Sequence, residues 1–181
     1  MKTPYLLGTF LGLKFTLQPS SLIATFGLWG SLTVVGLRGF SLPWWEAVFG
    51  GLLATMLYWV SEIWHQYGHA LAARWVGYPM IGVELWWAFG RSIYPTDEPE
   101  LPARVHIRRA LGGAPASLVL TLLAGGIMLG MPPDGRWYWL GGYFFLINLL
   151  VFTVGAFLPL GFTDGSTLLR YWKQKSTEGK I

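Results

Sequence analysis

The sequence predicts an all-α integral membrane protein, a four-transmembrane-helix bundle with short interfacial β-strands at the N-terminus and between helices 2 and 3. Hydrophobic residues make up 53% of the 181 residues and charged residues only 12%, which is too apolar for a soluble domain of this length. Several long stretches carry no charge, and ~20 such residues in a helix cross a bilayer core. We interpret residues 1–181 as a single integral membrane domain.

The N-terminal segment is typical of short strands followed by a helix. Residues 5–17 are rich in Leu, Phe and Thr, are interrupted by Gly8 and Gly12, and stop before Pro19. The charge-free stretch that follows predicts the first transmembrane helix over residues 20–37.

The second helix is predicted over residues 47–76. Its charge-free part ends at Ser61, so it reaches membrane length only by continuing through Glu62, His65 and His69. We therefore expect polar groups inside the membrane on this helix, and ionisable groups there indicate a functional site.

A second strand region is predicted over residues 80–94, between Pro79 and Pro95, where apolar and aromatic residues dominate. Non-helical backbone at membrane depth must be shielded from lipid or line a cavity. The two strand regions would therefore pair with each other, pair with a bound peptide, or lie as loops at the interface. A free strand edge would accept an extended segment of a substrate or partner.

The last two transmembrane helices are predicted over residues 110–131 and 137–160. Small residues around Pro115 open the third helix and let backbones approach closely. In the fourth, Pro159 breaks the hydrogen-bond ladder, so Asp164 is expected on irregular backbone near the helix end, with its carboxylate free to turn toward the bundle interior.

The charge distribution predicts the orientation. Of the 13 Lys and Arg residues, all except Arg38 and Arg136 lie before the first helix, between the second and third, or after the fourth. The positive-inside rule then places both termini on the cytoplasmic side of the cell membrane in a multi-pass protein. The net charge of +4 follows from this asymmetry and does not indicate nucleic-acid binding. The absence of cysteine excludes disulfides and thiolate ligands.

Residues 65–69 read His-Gln-Tyr-Gly-His. The i, i+4 spacing puts His65 and His69 on one helical face, one turn apart, where two imidazoles can bind one metal ion. Zincins read His-Glu-x-x-His, and here Gln66 stands at the position of the general base. Hydrogen-bonded packing of the two histidines is the alternative interpretation.

These residues resemble the site-2 protease family of intramembrane zinc metalloproteases, which carries His-Glu-x-Gly-His in one helix and Asn-x-x-Pro-x-x-x-Leu-Asp-Gly in another. Residues 156–165 read Ala-Phe-Leu-Pro-Leu-Gly-Phe-Thr-Asp-Gly, and residues 7–13 and 111–115 are similar to the family's strand and small-residue segments. The chain departs from the pattern at Gln66, Ala156 and Thr163.

The resemblance implies zinc bound by His65, His69 and Asp164. With Gln66 in place of the base, we expect little or no peptidase activity, because an amide cannot take up a proton at working pH. Two alternatives stay open: a non-catalytic subunit or scaffold of a larger membrane complex, and an active protease inactivated by an engineered Glu-to-Gln change.

Glu62 shares the helical face of the histidines. It is a candidate fourth ligand or displaced base; alternatively, it pairs with a basic residue or stays protonated. The expected partners are membrane lipid and a transmembrane or juxtamembrane segment of a partner or substrate protein, possibly within a larger membrane complex, and not nucleic acid.

Overall fold

The structure is a computed structural model that describes residues 4–133 and 135–178. The outermost residues of the predicted domain, 1–3 and 179–181, lie outside this part of the chain. The described part is mostly helical with one small sheet. Its elements are β1 (Tyr5–Phe10), β2 (Leu13–Leu17), α1 (Pro19–Gly39), α2 (Trp44–Trp75), β3 (Gly82–Trp86), β4 (Phe89–Ile93), α3 (Ala103–Ala110), α4 (Gly113–Met128), α5 (Arg136–Leu146) and α6 (Asp164–Glu178).

In the part of the chain that the structure describes, four helical stretches are long and apolar enough to cross a membrane, in the number and order that the sequence predicts. They are Pro19–Gly39, Trp44–Trp75, Ala103–Met128 and Arg136–Phe157. The third begins at Ala103 rather than at residue 110, because the arginine-rich α3 is a helix and leads into α4. Its charges are typical of a loop in the sequence, whereas in the structure Arg109 is buried.

The fourth stretch changes helix type before it ends. α5 continues as a π-helix, Ile147–Val154, and then as one turn of 3-10 helix, Gly155–Phe157. It ends before Pro159 rather than at the predicted residue 160, and α6 begins at Asp164. The expectation that Asp164 lies on irregular backbone is wrong: the irregular segment after the Pro159 break ends at Thr163, and Asp164 is the first residue of α6. This polar helix is not among the predicted elements.

The two predicted strand regions form one sheet in the order β1-β2-β3-β4. β2 pairs with β3 in parallel, while β1–β2 and β3–β4 are antiparallel hairpins. The strand regions therefore pair with each other, which was one of the predicted possibilities.

One face of the sheet packs on the C-terminal half of α2. The buried cluster between them contains Leu13, Phe15, Ala70, Ala73, Met80, Val83 and Leu85. Gly90 and Ser92 of β4 pair with Leu85 and Val83, so they lie on this same face. The packing brings β4 against the helix that carries the histidines.

Helices α2 and α4 make a close backbone contact at glycine residues. A Cβ added at Gly68 would collide with the carbonyl oxygen of Gly112 and lie 2.7 Å from the Cβ of Ala116. A Cβ at Gly112 would collide in turn with the carbonyl oxygen of Gly68. The small residues at the start of the third transmembrane stretch thus allow a close backbone contact beside the histidines.

We expect Gly68→Ala to lower the free energy of unfolding by about 1–3 kcal/mol, since the added methyl overpacks this contact. Gly50→Ala, in the same helix with nothing within 4 Å of the added Cβ, is the matched control. It should be neutral or stabilising by up to about 1 kcal/mol, because alanine is the better helix former. Thermal unfolding in detergent measures both, and equal changes would contradict the packing argument.

Candidate metal centre

Two imidazoles from α2 form one half of the candidate site. His65 and His69 are both buried, and their Nε2 atoms lie 3.1 Å apart. This follows from the i, i+4 spacing within a continuous helix, as predicted from the sequence.

The second half comes from the chain after the fourth transmembrane stretch. Asp164 Oδ1 lies 3.2 Å from His69 Nε2, and Asp164 Oδ2 lies 3.3 Å from His65 Nε2. Within residues 4–133 and 135–178, these three residues form the one group of His, Asp and Glu ligands that could hold a metal ion.

The spacing of the three ligands fits a zinc ion. Bonds of ~2.0–2.1 Å at tetrahedral angles place neighbouring ligand atoms about 3.3 Å apart. The two Nε2 atoms lie 3.1 Å apart, and each lies 3.2–3.3 Å from a different carboxylate oxygen of Asp164, which is close to this spacing. Asp164 Oδ2 is buried without a hydrogen-bond partner, as expected of an atom whose partner is a metal. Two imidazoles and a carboxylate are also a donor set that zinc uses.

Gly113 of α4 lies directly against the ligands. A Cβ added there would collide with Nε2 of His65 and lie 2.5 Å from Nε2 of His69. The missing side chain therefore keeps open the space that the two imidazoles face.

The outer nitrogens of both imidazoles are held by hydrogen bonds. His69 Nδ1 lies 2.8 Å from the carbonyl oxygen of Arg109, which can only accept, so His69 carries its proton on Nδ1. His65 Nδ1 lies 3.0 Å from the hydroxyl of the buried Ser117. These contacts orient the rings and direct both Nε2 atoms toward Asp164.

Arg109 is fixed in turn by its own side chain. The buried guanidinium donates to both carboxylate oxygens of Glu98, at 3.1 and 2.5 Å, and to the carbonyl oxygen of Tyr78 at 2.6 Å. It also lies over the ring of Tyr94, 3.9 Å from the centroid. The carbonyl that orients His69 therefore belongs to a residue anchored at several points.

The turn before α6 positions the carboxylate. Gly161 N donates to the hydroxyl of Ser166 at 2.7 Å, and the hydroxyl of Thr163 donates to the carbonyl oxygen of Leu158. Burial raises the pKa of Asp164, but the facing imidazoles of His69 and His65 outweigh it and lower the pKa to about 2. The carboxyl is therefore ionised at neutral pH, which is the form that binds a metal.

Gln66 is turned toward β4. Its Nε2 donates to Glu62 Oε1 and to the carbonyl oxygen of Gly90, each at 2.9 Å, and its Oε1 accepts from the hydroxyl of Ser92 at 2.9 Å. Glu62 Oε1 also accepts from Gly90 N at 2.8 Å. Gln66 and Glu62 thus lie outside the group of three metal-ligand candidates, and Glu62 is paired with an amide and a backbone N–H.

A cavity of about 710 Å³ joins these parts. Its walls include the three candidate ligands, Glu62, Gln66, residues 89–92 of the β3–β4 hairpin and the apolar Leu158, Leu160 and Phe162. The three candidate ligands therefore line the same cavity as the β3–β4 hairpin and the apolar residues before α6.

The sequence singled out five site residues, and the structure brings His65, His69 and Asp164 together. Gln66 and Glu62 line the same cavity from the side of β4. Sequence reasoning missed Ser117, the Arg109 carbonyl and the need for glycine at 113. Only the last had a visible signal, the run of small residues around Pro115.

No protein-family model and no curated protein matches the chain. Among solved structures, it is similar to the site-2 protease from Methanocaldococcus jannaschii, with a TM-score of 0.59 and 16% sequence identity over 96% of this chain and 73% of that one. At this level of identity the likeness concerns the fold alone. The chain therefore has a fold similar to that of a membrane protease, with a candidate metal centre of two histidines and one aspartate.

Proposed function

We propose that this chain is a site-2-protease-like integral membrane protein that binds zinc through His65, His69 and Asp164 and has little or no peptidase activity. The observation that carries the proposal is the convergence of three ligand side chains from two distant parts of the sequence. The two imidazole Nε2 atoms lie 3.1 Å apart, and each lies 3.2–3.3 Å from a different carboxylate oxygen of Asp164. The similarity of the fold to a site-2 protease supports it.

The chemistry at position 66 argues for weak hydrolysis. Zinc held by three protein ligands keeps a position open for water, which is the arrangement of a catalytic site. Peptide cleavage gains ~100-fold to 10,000-fold from a positioned acid or base. Gln66 cannot exchange a proton at working pH, and its amide is already engaged with Glu62, Gly90 and Ser92.

The environment of Gln66 favours an amide as the natural residue over an engineered change. Both hydrogens of the amide nitrogen have acceptors, and its oxygen has a donor. An ionised glutamate at position 66 would place its carboxylate beside Glu62 and the Gly90 carbonyl oxygen, to which it cannot donate a hydrogen bond. The same observation supports the second candidate function, a non-catalytic subunit or scaffold that holds a partner's transmembrane or juxtamembrane segment.

The proposed setting is a cell membrane with both termini cytoplasmic. The positive charges between the second and third and after the fourth membrane stretches support this orientation. Lipid would contact the apolar outer faces of the helices, where large side chains such as Phe26, Phe49 and Leu122 are exposed.

We expect the purified protein to bind one zinc ion per chain. His65→Ala, His69→Ala and Asp164→Ala should each lower the zinc affinity at least 10-fold, because each removes one ligand. His106→Ala is the matched control, since this third histidine lies outside the ligand group. Elemental analysis and chelator competition measure the affinities; zinc binding unchanged in the three ligand variants would contradict the proposal.

Gly113→Ala should also lower the zinc affinity at least 10-fold, because its methyl occupies the space between the imidazoles. Gly126→Ala, in the same helix with nothing within 4 Å of the added Cβ, should leave the affinity unchanged. Chelator competition on both variants gives the comparison. Equal zinc affinities would show that the ion binds elsewhere.

With a synthetic transmembrane peptide, we expect the wild-type protein to cleave no faster than Asp164→Ala. Gln66→Glu supplies a proton acceptor and should raise the rate at least 100-fold. Product formation followed by mass spectrometry tests this. Zinc-dependent cleavage by the wild type at the rate of Gln66→Glu would contradict the assigned role of Gln66 and point to Glu62 as a working base. No cleavage by either form would favour the scaffold function.

A further inference from the structure

Strand β4 forms one edge of the sheet, and Gly90 directs its backbone polar groups to the open side. β4 is the last strand in the order β1-β2-β3-β4, and Gly90 pairs with Leu85 of β3. The Leu85 carbonyl accepts from Gln18 N, on the side of β2, so this pair is not joined by hydrogen bonds. The N–H and C=O of Gly90 therefore point away from the sheet, where an added strand would bind.

Two side chains of α2 form hydrogen bonds with the N–H and C=O of Gly90. Gly90 N donates to Glu62 Oε1 at 2.8 Å, and the Gly90 carbonyl accepts from Gln66 Nε2 at 2.9 Å. One acceptor and one donor are what a residue of a neighbouring antiparallel strand supplies. Both side chains are buried, and a 2.9 Å hydrogen bond links them to each other.

The spacing along α2 matches the spacing along β4. Four helical residues rise about 6.0 Å and two strand residues about 6.8 Å, so every fourth side chain of a helix can follow every second residue of a strand. Tyr58 donates to the Ala88 carbonyl, Glu62 and Gln66 bind Gly90, and Gln66 accepts from Ser92. Three successive turns of α2 are thus bonded along this hairpin.

The residue types at positions 90 and 66 suit this contact. A Cβ on Gly90 would lie 2.7 Å from Glu62 Oε1 and 2.9 Å from Gln66 Cγ, so only glycine lets the strand come this close. At position 66, an ionised glutamate could not donate to the Gly90 carbonyl, whereas an amide can.

We propose that Glu62 and Gln66 form an internal edge cap: they occupy the outward N–H and C=O of Gly90 in place of an added strand. An extended peptide segment then pairs with β4 at Gly90 only by displacing these two side chains. The occupant is an extended main chain, since the cap reproduces the hydrogen bonds of one strand residue. That the segment belongs to a substrate or partner rests on the proposed function; the cap itself does not.

Hydrogen exchange at the Gly90 amide tests the cap directly. Glu62→Met removes the acceptor at similar size and should speed exchange of this amide at least 10-fold, whereas the amides of Phe89 and Arg91, which face β3, keep their protection. Glu62→Gln retains an acceptor oxygen and should keep the Gly90 amide protected. Thr55→Val is the control, because it removes a different buried polar group of α2, a hydroxyl that is bonded within its own helix. Unchanged exchange in Glu62→Met would overturn the proposal.

Peptide binding tests whether the cap keeps an extended peptide from pairing with β4. The probe is a fluorescent ten-residue peptide of alternating Val and Thr, and the control peptide is N-methylated at every second residue so that one edge cannot donate. The double variant Glu62→Met/Gln66→Met should bind the probe about 10-fold more tightly than the wild type, with no gain for the methylated peptide. Equal affinities, or a gain that survives methylation, would refute edge capping.

Zinc binding separates this proposal from the proposed function. The capped edge contains no metal ligand, so Asp164→Ala should leave the protection of the Gly90 amide unchanged while zinc is lost. A protein that binds no zinc but protects this amide would overturn the metal function and leave the cap standing. Zinc bound at full stoichiometry by Glu62→Met also shows that this variant is folded.

Discussion

The approach of the Asp164 carboxylate to the imidazoles of His65 and His69 is the contact on which the rest of the structure depends. It requires the helix to end before Pro159 and a turn to lead into α6. It also requires α4 to lie close enough to α2 for Ser117 and Gly113 to border the imidazoles, and glycine at positions 68 and 112 permits that distance. A cation shared by the carboxylate and the two imidazole nitrogens would provide one partner for all three groups in this buried site.

Helix α2 contributes side chains both to the candidate metal centre and to the contact with the β3–β4 hairpin. Successive residues of a helix point ~100° apart, so the neighbours His65 and Gln66 face different surroundings. The histidines face α4 and Asp164, while Tyr58, Glu62 and Gln66 face the β3–β4 hairpin. Gln66 stands where a zinc protease would have its general base, but here its side chain binds strand β4. This contact gives a structural reason for an amide at position 66.

Much of the fold could be predicted because its signals are local. Apolar length indicated four membrane stretches, and the i, i+4 spacing of His65 and His69 indicated a ligand pair. α6 and α3 were not predicted, because polar and arginine-rich segments are typical of loops. The burial of Arg109, which the sequence does not show, is what distinguishes α3 from a loop. The partners of Gln66 could not be predicted either, since they depend on the parallel pairing of β2 with β3 and on how the sheet packs against α2.

X-ray absorption spectroscopy at the zinc edge of the metal-loaded protein tests the central claim most directly. We predict a first shell of four nitrogen and oxygen atoms at ~2.0–2.1 Å with the multiple-scattering signal of two imidazoles, and of one imidazole after His69→Ala. A shell of oxygen atoms without imidazole scattering, or a spectrum that His69→Ala leaves unchanged, would contradict the shared site of His65, His69 and Asp164.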